Sequence, residues 1–380
     1  MVIIVVYLDY SATTPVDREV LDTFNKVSLE FIGNPNSLHK LGVQSRELIN
    51  SATIQMSELL GVKKDEIIYT SGASEANNLA IKGIALKYQN RGKKIITTEL
   101  EHSSIYGPLS YLQKLGFEVL FAPLDEFGVV NIKELEKIMT DDVILVTISA
   151  VNSELGLCQP IKEIGEMLAK YPKCFFHTDM TQCIGKYPIN AEYFENVDLA
   201  SFSAHKIYGL KGIGCLIKKD GINLEPLIHG GKSTTIYRSG TPMVALIASF
   251  SKALRLILDK KNAYNYVFEL NNKIKEHLKK YSNVFINSNE HCVPHILNLS
   301  VIGVKPETML HALEEEDVYI STQSACSSSN TRSKAVFALT HDEERASSSI
   351  RISLSYLTTE NEFQEFLIAF DKCYNKLKLK

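Results

Sequence analysis

No sign of charge dominates this chain. Its 41 Lys and Arg face 44 Asp and Glu, a formal net charge of −3, and the basic residues are scattered over the whole length. The balance lacks the domain-wide basic excess of a nucleic-acid surface, so no direct nucleic-acid partner is expected. Long apolar runs are missing as well. The opening Met1–Leu8 is apolar but ends at Asp9, too short to span a bilayer and without the flank and cleavage site of a signal peptide. A β-branched run of that length predicts a buried strand. No membrane partner follows from it, and the cytoplasm is the expected location. The seven cysteines (Cys158, Cys174, Cys183, Cys215, Cys292, Cys326 and Cys373) contain no C-x-x-C pair. Their odd number and wide spacing argue against a disulfide framework, and nothing reads as a zinc site. Internal repeats, low-complexity tracts, a Walker loop and a G-x-G-x-x-G fingerprint are all absent.

The 380 residues, 45% hydrophobic and 22% charged, are enough for one large globular domain and a smaller one. Short β-rich runs alternate with helical stretches, which predicts an α/β fold with a mainly parallel sheet. Candidate strands are Glu66–Thr70, Lys94–Thr98, Glu118–Ala122, Val143–Ser149, Cys174–Asp179, Leu199–Ser203 and Gly214–Ile217. Helical periodicity marks Ser74–Tyr88 and Pro160–Lys170, and a long helix is expected from Pro242 to about Leu258, with Thr241 as its cap. Beyond Asp259 a polar-faced helix, Ile296–Val301, a Pro306–Glu316 helix, Val318–Ser321 and Ile350–Leu354 read as a smaller α+β unit. The expected division is 14–258 for the large domain, with 1–13 and 259–380 forming the small one.

Four clusters sit at the ends of predicted strands. Ser203-Ala-His-Lys206 offers an amine that could condense with a cofactor aldehyde of the pyridoxal type, if partly desolvated. Asp179 ends an apolar strand, where a parallel sheet places ligand groups, and could hold a pyridine nitrogen protonated. Thr70-Ser-Gly-Ala-Ser-Glu75 is a strand–turn–helix junction whose N–H groups suit a phosphate. Glu101-His102 supplies an imidazole that could stack and move protons. Taken singly, each has a plain structural alternative: a surface lysine, a helix cap, an ordinary turn, a structural histidine. Their order, each at a strand end, is what carries weight.

With these motifs the chain resembles the NifS-like cysteine desulfurases, fold-type I enzymes dependent on pyridoxal 5'-phosphate (PLP), nearly end to end. The resemblance includes Tyr7-Leu-Asp-Tyr-Ser-Ala-Thr-Thr-Pro15, Gly33-Asn-Pro-Asn-Ser37, Thr70–Glu75, Glu101-His102, Asp179 with Gln182, Ser203–Lys206, His229-Gly-Gly231, Arg238-Ser-Gly-Thr241, Ser324-Ala-Cys326-Ser and Ser349-Ile-Arg-Ile-Ser353. It implies a large domain with a mainly parallel seven-stranded sheet and a smaller α+β domain. It also implies Lys206 as the lysine bound to the cofactor, Asp179 as partner of the ring nitrogen and His102 as the stacking acid–base. Ala73, Ser74, Ser203 and His205 are implied at the phosphate, and Gln182 near the ring hydroxyl. Thr241 is implied at the phosphate of a neighbouring subunit, hence a homodimer. Arg351, with Asn34, is implied at the carboxylate of L-cysteine. Cys326, in a polar segment read as a mobile loop (about 321–345), would attack the substrate sulfur, keep a persulfide and release alanine.

Two departures stand out. Where the family often has Asn-Asn-Glu, this chain has Asn152-Ser153-Glu154, leaving Asn152 or Ser153 for the ring-hydroxyl contact, and Lys232 follows His229-Gly-Gly231 in place of a third glycine. The chain ends at Lys380 without the longer tail by which housekeeping members dock an iron–sulfur scaffold. The expected sulfur acceptor is therefore a protein such as a tRNA-thiolating enzyme, with an iron–sulfur scaffold as the other option.

Overall fold

The computed structural model describes residues 5–189, 191–322 and 332–378. Cys326 and its immediate neighbours therefore lie outside the described residues. Seven strands form one sheet: β2 (Ile67–Thr70), β3 (Lys94–Thr97), β4 (Glu118–Phe121), β5 (Val143–Thr147), β6 (Phe175–Asp179), β7 (Leu199–Ser203) and β8 (Gly214–Lys218), in the order β2-β8-β7-β6-β5-β3-β4. Only β8 runs antiparallel, against both β2 and β7. The C-terminal ends of β2, β3, β5, β6 and β7 thus share one edge. Strands β2, β5, β7 and β8 are buried at every position, because helices cover both faces of the sheet. On one face Leu79, Ile81 and Ile84 of the helix Ala73–Tyr88 pack on Ile68, Ile95, Leu145 and Leu216.

β1 (Val6–Tyr7), expected as a strand from its β-branched run, pairs in parallel with β11 (Val318–Tyr319). A separate antiparallel sheet orders as β12 (Ser349–Ser353), β10 (Ile296–Val301) and β9 (Val284–Ile286). Val6 and Leu8 join Leu297, Leu299, Ile350, Ile352, Phe366 and Phe370 in the apolar cluster beneath it. A bridge from Asp9 to Ser353 ties the N-terminal strand to the end of β12. Among the described residues no helix is long and apolar enough to cross a membrane.

One helix start is corrected. Thr241 does not cap the long helix, which spans Val244–Leu258 with Met243 at the N-cap position and no side-chain cap. The Pro242 carbonyl accepts from Val244 N at 3.1 Å, a tight turn, so the helical ladder begins only with Met243 O, which accepts from Ile247 N at 2.9 Å. The loop expected over 321–345 is also narrower. Lys334–Thr340 and Glu343–Ser347 are helical, and Ala335 and Val336 pack with Leu100, Leu155 and Leu157.

Candidate active site

Five strand ends converge on one cavity of about 430 Å³. Ser71–Glu75 follow β2, Leu100 and His102 follow β3, Ser149, Val151 and Ser153 follow β5, Asp179 ends β6 with Thr181 and Gln182 just beyond it, and Ser203 ends β7 with His205 and Lys206 just beyond it. Ser11 and Ala12 close one side, and Arg351 reaches in from β12 of the other sheet.

The turn after β2 owes its position to Gly214. A Cβ there would lie 2.6 Å from the Gly72 backbone, so β8 and the turn meet backbone to backbone. No side chain caps the helix Ala73–Tyr88 at Gly72, while the Glu75 carboxylate turns back to accept Ser71 N at 2.7 Å and pairs with Arg238 at 3.0 Å. Open N–H groups at a helix start attract anions. Ser203 and His205 line the same cavity, and Ser203 Oγ lies 3.8 Å from where a Cβ on Gly72 would stand. Burial first, then neighbouring lysines, pushes the His205 imidazole down to about 4, so it is neutral at pH 7.

Lys206 Nζ donates to the carbonyls of Ser11 and Ala12. Asp179 is buried: Oδ2 accepts from Asn77 Nδ2 at 2.7 Å and Oδ1 from Thr181 N at 2.9 Å. Asn77 also donates to Ser104 Oγ at 2.9 Å, and Ser104 Oγ is 2.8 Å from His102 Nδ1. His102 Nδ1 accepts from Ser104 N, which leaves Nε2 to carry the proton of the neutral ring. Burial lowers the His102 pKa and favours that neutral form. Gln182 Nε2 donates to Ser11 O at 3.0 Å, and its Oε1 accepts from buried Lys186 at 2.7 Å. A phosphorylated pyridine aldehyde fits this donor set. The uncapped helix start suits its phosphate, Asp179 its ring nitrogen, and Lys206 its aldehyde.

Not every expected residue faces the cavity. Asn152 is spent on the turn itself: Nδ2 donates to Leu100 O at 2.5 Å, and Oδ1 accepts from Glu154 N and Leu155 N. Ser153 lines the cavity instead, so of the two it is the one placed for a ligand contact. Asn34 and Thr241 are exposed and do not line the cavity of their own chain. Sequence reasoning assigned no role to Ser11, Ala12, Asn77 or Glu101. Ser11 and Ala12 act through carbonyls, which leave no side-chain signal. Asn77 had one: it lies one helical turn beyond Ala73 and Ser74, hence on their face.

Glu101 is a buried carboxyl behind His102, bonded to Ser149 N, Ser149 Oγ and Thr98 Oγ1. Burial lifts it from 4.5 to about 7. A folded-state pKa above the unfolded one stabilises fully below about 4.5 and loses that contribution as pH rises through about 7. Glu101→Gln should therefore flatten the fall in unfolding free energy between pH 5 and pH 8, by on the order of 2–3 kcal/mol. Denaturant titrations of both proteins at the two pH values check this. Equal slopes would contradict it.

The aminotransferase class-V family matches residues 6–366 of this chain. A NifS/IcsS protein homolog of Lactobacillus delbrueckii subsp. bulgaricus is 41% identical over 97% of this chain and 97% of its own length. The protein of Dictyoglomus turgidum named cysteine desulfurase IscS is 39% identical, covering 98% of this chain and 95% of its own. A solved NifS-like protein superposes with a TM-score of 0.92 at 34% identity, covering 99% of this chain and 100% of that one. The chain belongs to the class-V aminotransferase family and, within it, to the NifS/IscS cysteine desulfurases.

Proposed function

We propose that this protein is a PLP-dependent cysteine desulfurase that converts L-cysteine to L-alanine and passes the sulfur to Cys326 as a persulfide. One observation carries the reading: the Lys206 amine, the buried Asp179 carboxylate, the His102 imidazole and the Arg351 guanidinium all line the same cavity. Bound PLP supplies an electron sink for the pair left at the substrate Cα. Ala73, Ser74, Ser203 and His205 hold the phosphate, Asp179 keeps the ring nitrogen protonated, and Gln182 and Ser153 flank the ring hydroxyl.

Arg351 takes the cysteine carboxylate. Lys206, released from its carbonyl partners, moves the Cα proton. His102 Nε2 exchanges a proton with the substrate thiol. The Cys326 thiolate attacks the substrate sulfur, so that an S–S bond forms and the C–S bond breaks. The carbon keeps the electron pair and takes a proton, which gives alanine. Cysteine and a protein thiol become alanine and a protein persulfide, with no external oxidant.

The active form is a cytoplasmic homodimer. Leu29, Ile32, Leu38 and Ile236, between 61% and 90% exposed, lie on or beside the segments carrying Asn34 and Thr241, which supports their burial against a second copy and reach into its site. The buried apolar cluster of the smaller sheet is drawn wholly from 6–8 and 267–374, which supports a division into 14–258 and 1–13 with 259–380. The acceptor is a protein of tRNA thiolation or iron–sulfur assembly, in keeping with IscS-named relatives. The assay is alanine and sulfide release from cysteine under a dithiol reductant. Equal yields, both abolished in Cys326→Ala, are expected; alanine from the variant at the wild-type rate would refute the role of Cys326.

A further inference from the structure

Arg351 already has a carboxylate. Its side chain is 1% exposed, and Nη2 donates to Asp9 Oδ1 at 2.9 Å while Nη1 donates to Ser153 O at 2.9 Å. Nε is buried and has no hydrogen-bond partner. Both ends of the pair are held by backbone. Leu8 N donates to Tyr319 O, Ser353 N donates to Leu8 O, and Arg351 N donates to Ser321 O, so neither Asp9 nor Arg351 is on a free segment. Tyr7 OH and Ala12 N both donate to the Asp9 carbonyl.

The pair has a consequence for affinity. A buried guanidinium alone would hold any carboxylate hard, through charge-assisted bonds at short range. Cysteine and alanine carry the same carboxylate and amine, so energy gained at this clamp binds product as firmly as substrate and speeds no step. With Asp9 in contact, the clamp is neutral overall and offers an incoming carboxylate only those Nη1 and Nη2 hydrogens not already given to Ser153 and Asp9. We propose that Asp9 is a positioning residue that orients Arg351 and, as a resident counter-anion, keeps the clamp's hold on the carboxylates of cysteine and alanine weak enough for alanine to leave. This rests on the reading of Arg351 as the carboxylate clamp.

Inhibition of the holoenzyme by alanine tests it. In Asp9→Asn the amide can still accept from Nη2, but the charge is gone, so the alanine inhibition constant and the KM for cysteine should each fall about tenfold, with kcat not raised. Binding of cysteamine, which is cysteine without the carboxylate, should stay within about twofold, and Asp9→Glu should restore wild-type alanine inhibition. An alanine constant in Asp9→Asn that is unchanged or higher would overturn the proposal. Should that variant fail to fold, the wild type still decides: ethylamine should bind within about tenfold of alanine, and a gap of about a hundredfold would overturn it. Arg351→Lys separates the two layers of the argument. If it leaves alanine binding unchanged, the clamp reading fails. If it weakens alanine while Asp9→Asn changes nothing, only the role of Asp9 fails.

Discussion

Replacing Lys206 by alanine is expected to cut cysteine turnover by about 10³-fold or more, the upper range for a positioned proton-transfer group. The visible absorbance of a lysine-bound cofactor should vanish with it. The expectation follows from placement. Lys206 follows β7 and lines the cavity, where its ammonium donates to the Ser11 and Ala12 carbonyls. Added methylamine should return part of the rate, because the cavity left by the side chain admits a small amine. Alanine formation in single-turnover mixtures checks both points. Wild-type rates in Lys206→Ala would contradict the assignment.

Asp179→Asn carries the next largest effect, a loss of about 10²- to 10³-fold in kcat/KM, the size seen when one preorganised charge or donor is removed from a dry site. The Asp179 carboxylate is fixed from two sides, by Asn77 Nδ2 and by Thr181 N, so its free energy as a charge partner is invested before any ligand arrives. An asparagine there has the same shape but cannot keep a pyridine nitrogen protonated. Its amide group would also turn a donor toward Asn77 Nδ2 or toward Thr181 N. Steady-state kinetics with far-UV circular dichroism as a folding control measure the effect. A variant within about threefold of wild type would contradict the role.

The parts of this molecule that were legible in its sequence share a physical cause. Strands β2 to β8 are short apolar runs bounded by turn residues, and burial on both faces makes such runs continuous rather than alternating. The helix Arg18–Glu30 left a weaker mark, since only Val20 and Val27 are buried and Leu21, Thr23 and Phe24 are half-buried. Strand β9, three residues with one exposed, is too short to announce itself. In the site, Lys206, Asp179 and His102 were legible because each carries side-chain chemistry at a strand end. Asp9 was not: its partner Arg351 is 342 positions away in the chain, and only the folded sheets bring them together. Asn152 drew attention for its amide, yet the Leu100 carbonyl and the N–H groups of Glu154 and Leu155 consume that amide, and the neighbouring Ser153 faces the cavity.

The role of Cys326 rests on the family to which the chain belongs and on the chemistry that the cavity's residues support. The most direct measurement is mass spectrometry of the holoenzyme after a short exposure to L-cysteine without reductant, with the peptide bearing Cys326 read for added sulfur. The account predicts a gain of one sulfur atom on Cys326, reversed by dithiothreitol, absent from Lys206→Ala and matched by alanine in equal amount. Added sulfur on another cysteine, or alanine formed while Cys326 stays unmodified, would contradict it.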